Sequence, residues 1–254
     1  MITNYTLQDN VVLVGDIHGD YNYIFPKFNK ATNTDFILLG DCGIGFSETK
    51  DEKLLKLIEY YTKQLSKRNN RLFLIRGNHD DPKYFILPLS KEYSNENWIF
   101  LQDFALLFYK DKKIRVIGGA VSVDRRMRET YKTYWYGEEL NEFPELDYIK
   151  DTDILLTHTC NHSWIDIFLP DPMPKWLKLS FQIDKKLTSD TEKENHICTC
   201  LLKHYRPEKW YCGHYHISTK TTVVNYELYH ENPKILSETK LQVLNINEMQ
   251  TLEI

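Results

Sequence analysis

Glycine and proline are scarce in this chain, and long hydrophobic runs are absent from its sequence. The 254 residues contain 10 Gly and 9 Pro, while 42% are hydrophobic and 27% are charged. This balance excludes collagen-like, low-complexity and disordered chains, and it predicts a globular protein. No window approaches the roughly 18 successive apolar residues that a membrane-spanning helix needs, so we expect no membrane contact. A chain of this length can bury a stable core without disulfides.

Neither sign of charge is in large excess, and cysteine is rare. The 36 acidic and 32 basic residues give a formal net charge of −4. This charge disfavours nucleic acid as a partner, although a local basic groove is left open. The five cysteines are odd in number and lack a disulfide-framework spacing, which favours a reducing compartment. Because residues 1–10 also lack the pattern of a signal peptide, we predict a cytoplasmic protein.

Short apolar runs predict five buried strands, at 11–14, 36–39, 72–75, 114–117 and 154–156. Helical spacing between them is clearest over 51–68, and the alternation of strand and helix predicts an α/β fold. After residue 209, runs at 210–212, 220–224 and 241–246 leave little room for helices and predict an antiparallel ending. We predict one domain, 1–254, with irregular loop insertions near 122–143 and 162–195. The second insertion contains Pro170, Pro172 and Pro174.

Side chains that can bind metal ions follow almost every predicted strand. In chain order they are Asp16, His18, Asp41, Asn78, His158, His214 and His216. The carboxyl ends of strands line the ligand crevice of α/β sheets, so we expect these side chains to converge. Carboxylate, imidazole and amide donors suit a divalent transition metal better than calcium. Seven ligands are too many for one catalytic ion with an open position, and they suit two ions.

The order of these motifs carries a family resemblance. D-x-H, G-D, G-N-H-D, a histidine after a strand and G-H-x-H occur in that order, and the chain thereby resembles the calcineurin-like metallophosphoesterases over roughly residues 11–224. The resemblance implies a four-layer α/β/β/α sandwich of two mixed β-sheets flanked by helices. It also implies hydrolysis of a phosphomonoester or phosphodiester by in-line attack of a hydroxide that bridges two metal ions.

The resemblance further implies a role for each site residue. One ion would be held by Asp16, His18, Asp41 and His216, and the other by Asp41, Asn78, His158 and His214, with Asp41 as the bridge. His79 matches the general acid of the family, and Asp80 and Asp81 are the candidate acidic partners that would keep it protonated. Mixed ligation favours manganese, with iron, zinc, nickel or magnesium as alternatives.

The segment after the second predicted strand departs from the serine/threonine protein phosphatases of the family. Ile44 and Gly45 stand where those enzymes have an aspartate that orients the catalytic histidine and an arginine that binds phosphate. Phosphate-binding cations are therefore expected elsewhere. The candidates are Arg76, for which a purely structural role is left open, and Arg125, Arg126 and Arg128, which a solvated charged turn would explain equally well.

Other conspicuous residues have plainer explanations. We favour core packing over stacking on a base for Tyr131, Tyr134, Trp135 and Tyr136. His196, Cys198 and Cys200 indicate a helix face rather than a zinc motif, because alternate spacing on a helix directs side chains apart. His162, His204 and His230 belong to no motif.

The favoured function is therefore hydrolysis of a nucleotide, a dinucleotide or another small phosphoester with two divalent cations. One alternative is a protein phosphatase of broad specificity that acts on phosphoproteins. A second alternative is a non-catalytic metal-binding scaffold, which is disfavoured because no ligand is missing. The oligomeric state is not predicted.

Overall fold

The computed structural model describes residues 4–46, 51–140, 152–165, 175–229 and 232–253. In chain order the strands are β1 (Asn4–Thr6), β2 (Asn10–Val14), β3 (Thr34–Leu38), β4 (Arg71–Leu74), β5 (Trp98–Phe100), β6 (Leu106–Tyr109), β7 (Lys112–Ile117), β8 (Ile154–Thr157), β9 (Lys209–Cys212), β10 (Thr219–Tyr229), β11 (Asn232–Val243) and β12 (Met249–Thr251). The α-helices are α1 (Tyr21–Phe28), α2 (Asp51–Ser66), α3 (Leu89–Glu92), α4 (Lys175–Ile183) and α5 (Leu187–Tyr205). Short 3-10 helices lie at Pro82–Phe85, Arg125–Met127 and His162–Trp164.

The strands form two mixed sheets. One has five strands in the order β12-β2-β3-β4-β5, and the other has seven in the order β1-β6-β7-β8-β9-β11-β10. In the first sheet β2 to β5 are parallel, and β12 joins β2 antiparallel. In the second sheet β7, β8, β9 and β11 are parallel, and β10 pairs antiparallel with β11. The carboxyl ends of both parallel sets carry the candidate ligands.

Three apolar clusters define the layers of the sandwich. Residues of β2 to β5 pack against residues of β6 to β9 in a core between the sheets, which includes Leu13, Ile37, Leu107 and Leu156. A second cluster joins α1 and α2 to the outer face of the five-stranded sheet, and a third joins α5 to the outer face of the seven-stranded sheet. The fold is therefore the expected four-layer α/β/β/α sandwich of two mixed sheets.

Local sequence explains the best-predicted elements. Helix α2 has Asp51 and Glu52 in its first turn and Lys63 in its last. Acidic side chains near the positive end of the helix dipole and a basic one near its negative end stabilise the helix. It buries apolar residues three or four positions apart against the sheet. Strand β3 is buried along its whole length, as expected for a central strand of a parallel sheet. All five predicted strands and helix 51–68 are confirmed. The predicted antiparallel ending is confirmed for β10 and β11 but is wrong for β9, which pairs parallel with both β8 and β11.

The prediction for 162–195 is wrong from residue 175 onward, where α4 and α5 are helical. The N-terminal half of α5 is almost entirely polar, and Glu194 occupies a buried position where a helical pattern would show an apolar residue. The predicted irregular stretch 122–140 is confirmed apart from one 3-10 turn. Residues 141–143, Pro170, Pro172 and Pro174 lie outside the described residues, and the single-domain division stays a prediction.

Two further expectations concern chemistry outside the site. Cys42, Cys160, Cys198, Cys200 and Cys212 are all free thiols, as their irregular spacing predicts. Within the described ranges, no helix has both the length and the apolar character needed to cross a membrane.

Candidate metal centre

Four of the candidate ligands form one compact group. Asp16 and His18 follow β2, Asp41 follows β3, and His216 follows β9; one ligand atom from each lies within 4.8 Å of the other three. The Nε2 atoms of His18 and His216 are 2.9 Å apart, and Nε2 of His216 is 3.2 Å from Asp16 Oδ2. The carboxylates are buried and the histidines are exposed, so the group opens to solvent on its histidine side.

The other three candidate ligands lie on the opposite side of Asp41. Oδ1 of Asn78 is 2.9 Å from Nε2 of His158 and 3.0 Å from Nδ1 of His214. Asp41 Oδ1 is 3.2 Å from His158 Nε2, whereas Asp41 Oδ2 is 3.8 Å from His18 Nδ1. The two oxygens of Asp41 therefore face histidines of different groups, and all seven predicted ligands are brought together.

His158 is oriented by a hydrogen bond on its far side. Its Nδ1 lies 2.8 Å from the carbonyl oxygen of Leu39, which can only accept, so Nδ1 carries the hydrogen and Nε2 faces the centre. Burial lowers the pKa of His158, but the adjacent carboxylate of Asp41 outweighs burial and raises this pKa to about 9. Burial raises the pKa of Asp41, and His158 outweighs it and brings that pKa well below its usual value. Both shifts have the same cause, which is the attraction between the carboxylate of Asp41 and the protonated imidazole of His158.

Four of the seven candidate ligands have a strained backbone. His18, Asp41, His214 and His216 have φ values of 47°, 46°, 68° and 54°. Residues other than glycine rarely adopt this left-handed conformation, which costs about 1–3 kcal/mol each and clusters at functional sites. The surrounding fold evidently holds these residues so that their side chains point to one centre.

Glycines next to the ligands allow the turns to approach one another closely. A Cβ atom at Gly77 would lie 2.1 Å from the backbone nitrogen of Asp41, and one at Gly40 would lie 2.1 Å from His158 Nδ1. Gly40 also has a φ of 102°, which a larger residue would adopt only with strain. A side chain at either position would push the two groups of ligands apart.

The sequence family accounts for this arrangement. Residues 10–218 match the calcineurin-like phosphoesterases. The chain belongs to this family. No curated protein matches it. One solved structure that is 10% identical aligns over 97% of this chain and 99% of its own length, with a TM-score of 0.51. The crystal structure of TT1561 of Thermus thermophilus is 13% identical over the same shares, with a TM-score of 0.47. At these identities the likeness concerns the fold alone.

In this calcineurin-like phosphoesterase, His79 lies between a cation and an aromatic ring. An Nη2 hydrogen of Arg128 points to Nε2 of His79 at 2.6 Å, so this nitrogen accepts. The ring of Phe46 stacks on the imidazole with 4.9 Å between centroids. Burial lowers the pKa of His79 to about 4, opposed by Asp41 and assisted by Arg128.

The expected acidic partner of His79 is not found at either candidate position. Both oxygens of Asp80 accept from backbone N–H groups, those of Cys42, Ile44 and Gly77, at 2.8–3.0 Å. Asp81 accepts from the N–H of Lys83 and caps a 3-10 helix. Asp80 is thus bonded to the backbone of two turns, and the catalytic role expected of it stays a prediction. The turn directs its side chain inward, where burial raises its pKa to about 7.

Arg76 is bonded within the scaffold, in agreement with the structural role left open for it, and its assignment as a phosphate-binding residue stays a prediction. Its guanidinium is buried and forms an ion pair of 3.0 Å with Asp103. It also donates to four carbonyl oxygens at 2.7–3.2 Å, those of Gly118, Gly137, Glu138 and Glu139. These bonds hold the loop that follows β7 in place, and they direct the guanidinium of Arg76 away from solvent.

The three arginines after β7 have different environments. Arg125 donates to Asp184 at 2.6 Å and to Asp190 at 2.5 Å, so it ties the loop to α5 and the residue after α4. Arg126 is 60% exposed and lies 3.4 Å from Asp184. Neither has a contact to a candidate ligand among the described hydrogen bonds and ion pairs, and their assignment to substrate binding stays a prediction. Only Arg128 of this group reaches the centre.

Arg128 is held in place by several acceptors. It donates to the hydroxyl of Ser122 at 3.0 Å and to the carbonyl of Asn78 at 3.3 Å, and it pairs with Asp124 at 2.6 Å. Ser122 also accepts from the side-chain amide of Asn78 at 2.9 Å, which leaves Oδ1 of Asn78 facing the histidines. Sequence reasoning missed Phe46 and Ser122. The only signal for Phe46 is its position just after the second-strand motif, and a lone serine gives none.

The other described histidines and the cysteines lie outside the centre. His196 Nε2 is 3.5 Å from Cys200 Sγ on the outer face of α5, whereas Cys198 is buried on the inner face, as a helix face predicts. His162 contacts the side chain of Asn195. His230 is not among the described residues.

Proposed function

We propose that this protein is a hydrolase of small phosphoesters that works with two divalent cations. The observation that supports it is the position of Asp41, whose two carboxylate oxygens face histidines of two separate ligand groups. Two catalytic cations about 3.5–4 Å apart are commonly bridged by such a carboxylate. The proposed ligands are those expected from the sequence, Asp16, His18, Asp41 and His216 for one cation and Asp41, Asn78, His158 and His214 for the other.

The donor set fits this pair of cations. It mixes carboxylate and imidazole with a single amide oxygen, which suits manganese, iron, zinc or nickel, and manganese is our first choice. Nδ1 of His158 donates to Leu39, and such second partners fix the tautomer of histidine ligands. When bound, two divalent cations lower the pKa of water and neutralise charge on phosphoryl oxygens.

We assign the proton transfer to His79 and phosphate binding to Arg128. His79 adjoins the ligand Asn78, and a protonated imidazole there would neutralise the departing alkoxide. The guanidinium of Arg128 contacts Nε2 of His79, so it lies where it can donate to a phosphoryl oxygen next to the leaving group. If a phosphate draws Arg128 away, Nε2 of His79 becomes free to carry the proton.

The residues around the turn after β3 favour small substrates over phosphoproteins. The side chain of Ile44 is buried in the core beside α2, and a Cβ at Gly45 would meet the side chain of Asp81 at 2.6 Å. This turn therefore presents neither the acid nor the arginine of the protein phosphatases. We place nucleotides, dinucleotides and comparable small phosphoesters first.

The test is a screen of metal-loaded protein. Manganese, nickel, zinc and magnesium are each combined with a monoester, a diester, a cyclic nucleotide, a dinucleoside polyphosphate and a phosphopeptide, and bound metal is counted per chain. We expect two ions per chain and turnover of at least one small phosphoester. Preference for the phosphopeptide would favour the protein-phosphatase alternative. Two bound ions with no turnover would overturn the hydrolase and leave the metal-binding scaffold.

A further inference from the structure

Three tyrosines lie together on the surface of the loop that follows β7. Tyr131 is 71% exposed and Tyr136 is 68% exposed, while Tyr134 is half-buried. The rings meet edge to face, with centroids 5.9 Å apart for Tyr131 and Tyr136 and 5.5 Å apart for Tyr134 and Tyr136. The sequence predicted core packing for Tyr131, Tyr134, Trp135 and Tyr136, and of these four residues only Trp135 is buried.

The backbone beneath these rings is a defined turn. The N–H of Tyr131 donates to the carbonyl of Tyr134 at 2.7 Å, and the carbonyl of Glu129 accepts from Thr133 at 2.9 Å and from Tyr134 at 3.1 Å. These hydrogen bonds give the turn a defined backbone conformation even though the tyrosine rings are exposed. The rings are presented to solvent by an ordered backbone.

Two separate sets of contacts connect this turn to His79. Arg128 joins the carbonyl of Thr133, at 3.4 Å, to Nε2 of His79, at 2.6 Å. Trp135 packs edge to face on Phe46, with 6.0 Å between centroids, and Phe46 stacks on His79. The loop that carries the tyrosines therefore contacts the proposed proton donor directly through Arg128 and indirectly, by way of Phe46, through Trp135.

We propose that Tyr131 and Tyr136, supported by Tyr134, form a subsite that stacks on the aromatic ring of the substrate's leaving group. The inference rests on the proposed function and names its substrate class, phosphoesters of a nucleoside or a comparable ring-bearing alcohol. An edge-to-face pair leaves a ring face open, and base–aromatic stacking tolerates any base because each base has a π-face. Arg128, which contacts the carbonyl of Thr133 in the same loop, and His79 would bind the phosphate and the leaving oxygen.

The chemistry of the rings favours a planar heterocycle as occupant. Tyrosine combines an apolar ring with a hydroxyl that stays hydrated, so a polar base can stack while its edges remain in water. Exposed aromatic groups are otherwise a liability for a soluble chain, and they are expected where a ligand covers them.

The test compares two ligands that differ only in the base. In both ligands the leaving oxygen is the primary 5-oxygen of ribose, and ribose 5-phosphate has a hydroxyl where adenosine 5′-monophosphate has adenine. Each is measured on manganese-loaded protein as a substrate, or as a competitor of whichever phosphoester the screen finds to be turned over. Binding of adenosine, which carries no phosphate, is measured in parallel by saturation-transfer NMR. For wild type we expect preference for adenosine 5′-monophosphate and detectable adenosine binding.

The variants are Tyr131→Ala and Tyr136→Ala, with Tyr131→Phe and Tyr136→Phe to retain stacking. We expect each alanine variant to reduce the preference for adenosine 5′-monophosphate over ribose 5-phosphate by about 5- to 50-fold, and each phenylalanine variant to retain most of it. Tyr60→Ala removes a ring that is 61% exposed on α2, and it serves as the matched control. Thermal unfolding of each variant verifies that the fold is intact.

Two outcomes would overturn the inference without affecting the proposed function. One is an active enzyme that treats the two ligands alike; the other is a preference that the alanine variants retain. Loss of self-association in those variants, with no adenosine binding by wild type, would instead make the rings a contact between copies. If wild type binds adenosine but hydrolyses no phosphoester, the ring subsite stands and the proposed function fails.

Discussion

At the scale of single residues, the neighbours of His79 support Arg128 rather than Arg126 as the proposed phosphate-binding residue. Arg128 is only 8% exposed and is positioned by Asp124, Ser122 and backbone carbonyls. A guanidinium that is already oriented loses little conformational freedom when it donates two hydrogen bonds to phosphate. Arg126 lies close by in the sequence but points to solvent and to Asp184.

Replacing Arg128 tests this distinction. We expect Arg128→Ala to lower kcat/KM by about 10²–10³-fold, because a preorganised donor to the phosphoryl group is lost. Metal content, measured by inductively coupled plasma mass spectrometry, should be retained. Arg126→Ala is the control and should change kcat/KM by less than about threefold. A larger loss for Arg126→Ala would reverse the assignment.

The proton donor and the bridging ligand should respond differently to mutation. His79→Ala should lower kcat by about 10²–10⁴-fold while two ions stay bound, because only proton transfer is lost. Asp41→Ala should lose metal as well as activity, since both proposed ions share this carboxylate. Kinetics and metal analysis of the same preparations distinguish the two variants. Equal metal loss in both would contradict these roles.

At the scale of elements, Asp80 joins the turns that follow β3 and β4. Its carboxylate accepts from N–H groups in both turns and is fully buried, so no water can replace it. The two turns carry Asp41 and Asn78, and their relative position therefore depends on this side chain. Its contribution is architectural although it stands next to His79.

Removing Asp80 should destabilise the fold. Asp80→Ala leaves three buried N–H groups without an acceptor, and we expect a loss on the order of 3–5 kcal/mol in the free energy of unfolding. Asp81→Ala removes one cap of a short 3-10 helix and should cost about 1 kcal/mol. Urea unfolding of both variants measures the difference. Similar losses would show that the buried bonds of Asp80 contribute little.

Helix α5 carries a buried acid whose ionisation should make stability depend on pH. Glu194 accepts from the N–H of Val121 at 2.6 Å, and burial raises its pKa to about 7 from a usual 4.5, opposed by that bond and by His158. The folded state holds this proton more tightly than the unfolded state. The contribution of Glu194 is therefore fully present below pH 4.5 and is lost as the pH rises to about 7.

Glu194→Gln should remove this dependence, because a neutral amide can still accept from Val121. The variant should gain stability over wild type by an amount that grows between pH 5 and 7 and then levels off, on the order of 3 kcal/mol in total. Urea unfolding at several pH values, with a chelator present, measures the difference in the free energy of unfolding between the variant and wild type. A gap that is constant with pH would contradict the buried-acid explanation.

At the scale of the whole molecule, the centre joins the two sheets. Asp16, Asp41 and Asn78 follow strands of the five-stranded sheet, while His158 and His214 follow strands of the seven-stranded sheet. A cation bound by residues of both sheets would oppose their separation. Metal binding should consequently be coupled to global stability.

Removal of metal should lower the melting temperature of the protein. A ligand present at 100 times its Kd stabilises the folded state by about 2.7 kcal/mol, so EDTA should lower Tm by several degrees and added manganese should restore it. Differential scanning fluorimetry measures the change, with Asp41→Ala as the control that should not respond. A response of equal size in that variant would place the stabilising ion elsewhere.

The sequence by itself determined the strands and identified the seven candidate ligands that follow them. Buried strands need unbroken apolar runs. The metal-binding residues that follow these runs, together with the glycines beside them, form motifs that are rare enough to be recognised. These are local properties, so five strands, α2 and all seven converging ligands could be read without coordinates. The N-terminal half of α5 escaped prediction because it is polar and buries Glu194.

Only the tertiary structure decided which charged neighbours face the centre. Arg76, Arg125, Arg126 and Arg128 are equivalent as sequence, yet two are bound within the scaffold, one points to solvent and one reaches His79. Asp80 likewise turns inward. The direction of a long side chain, or of one in a turn, depends on hydrogen-bond partners that distant segments contribute. The neighbouring residues in the sequence do not reveal those partners.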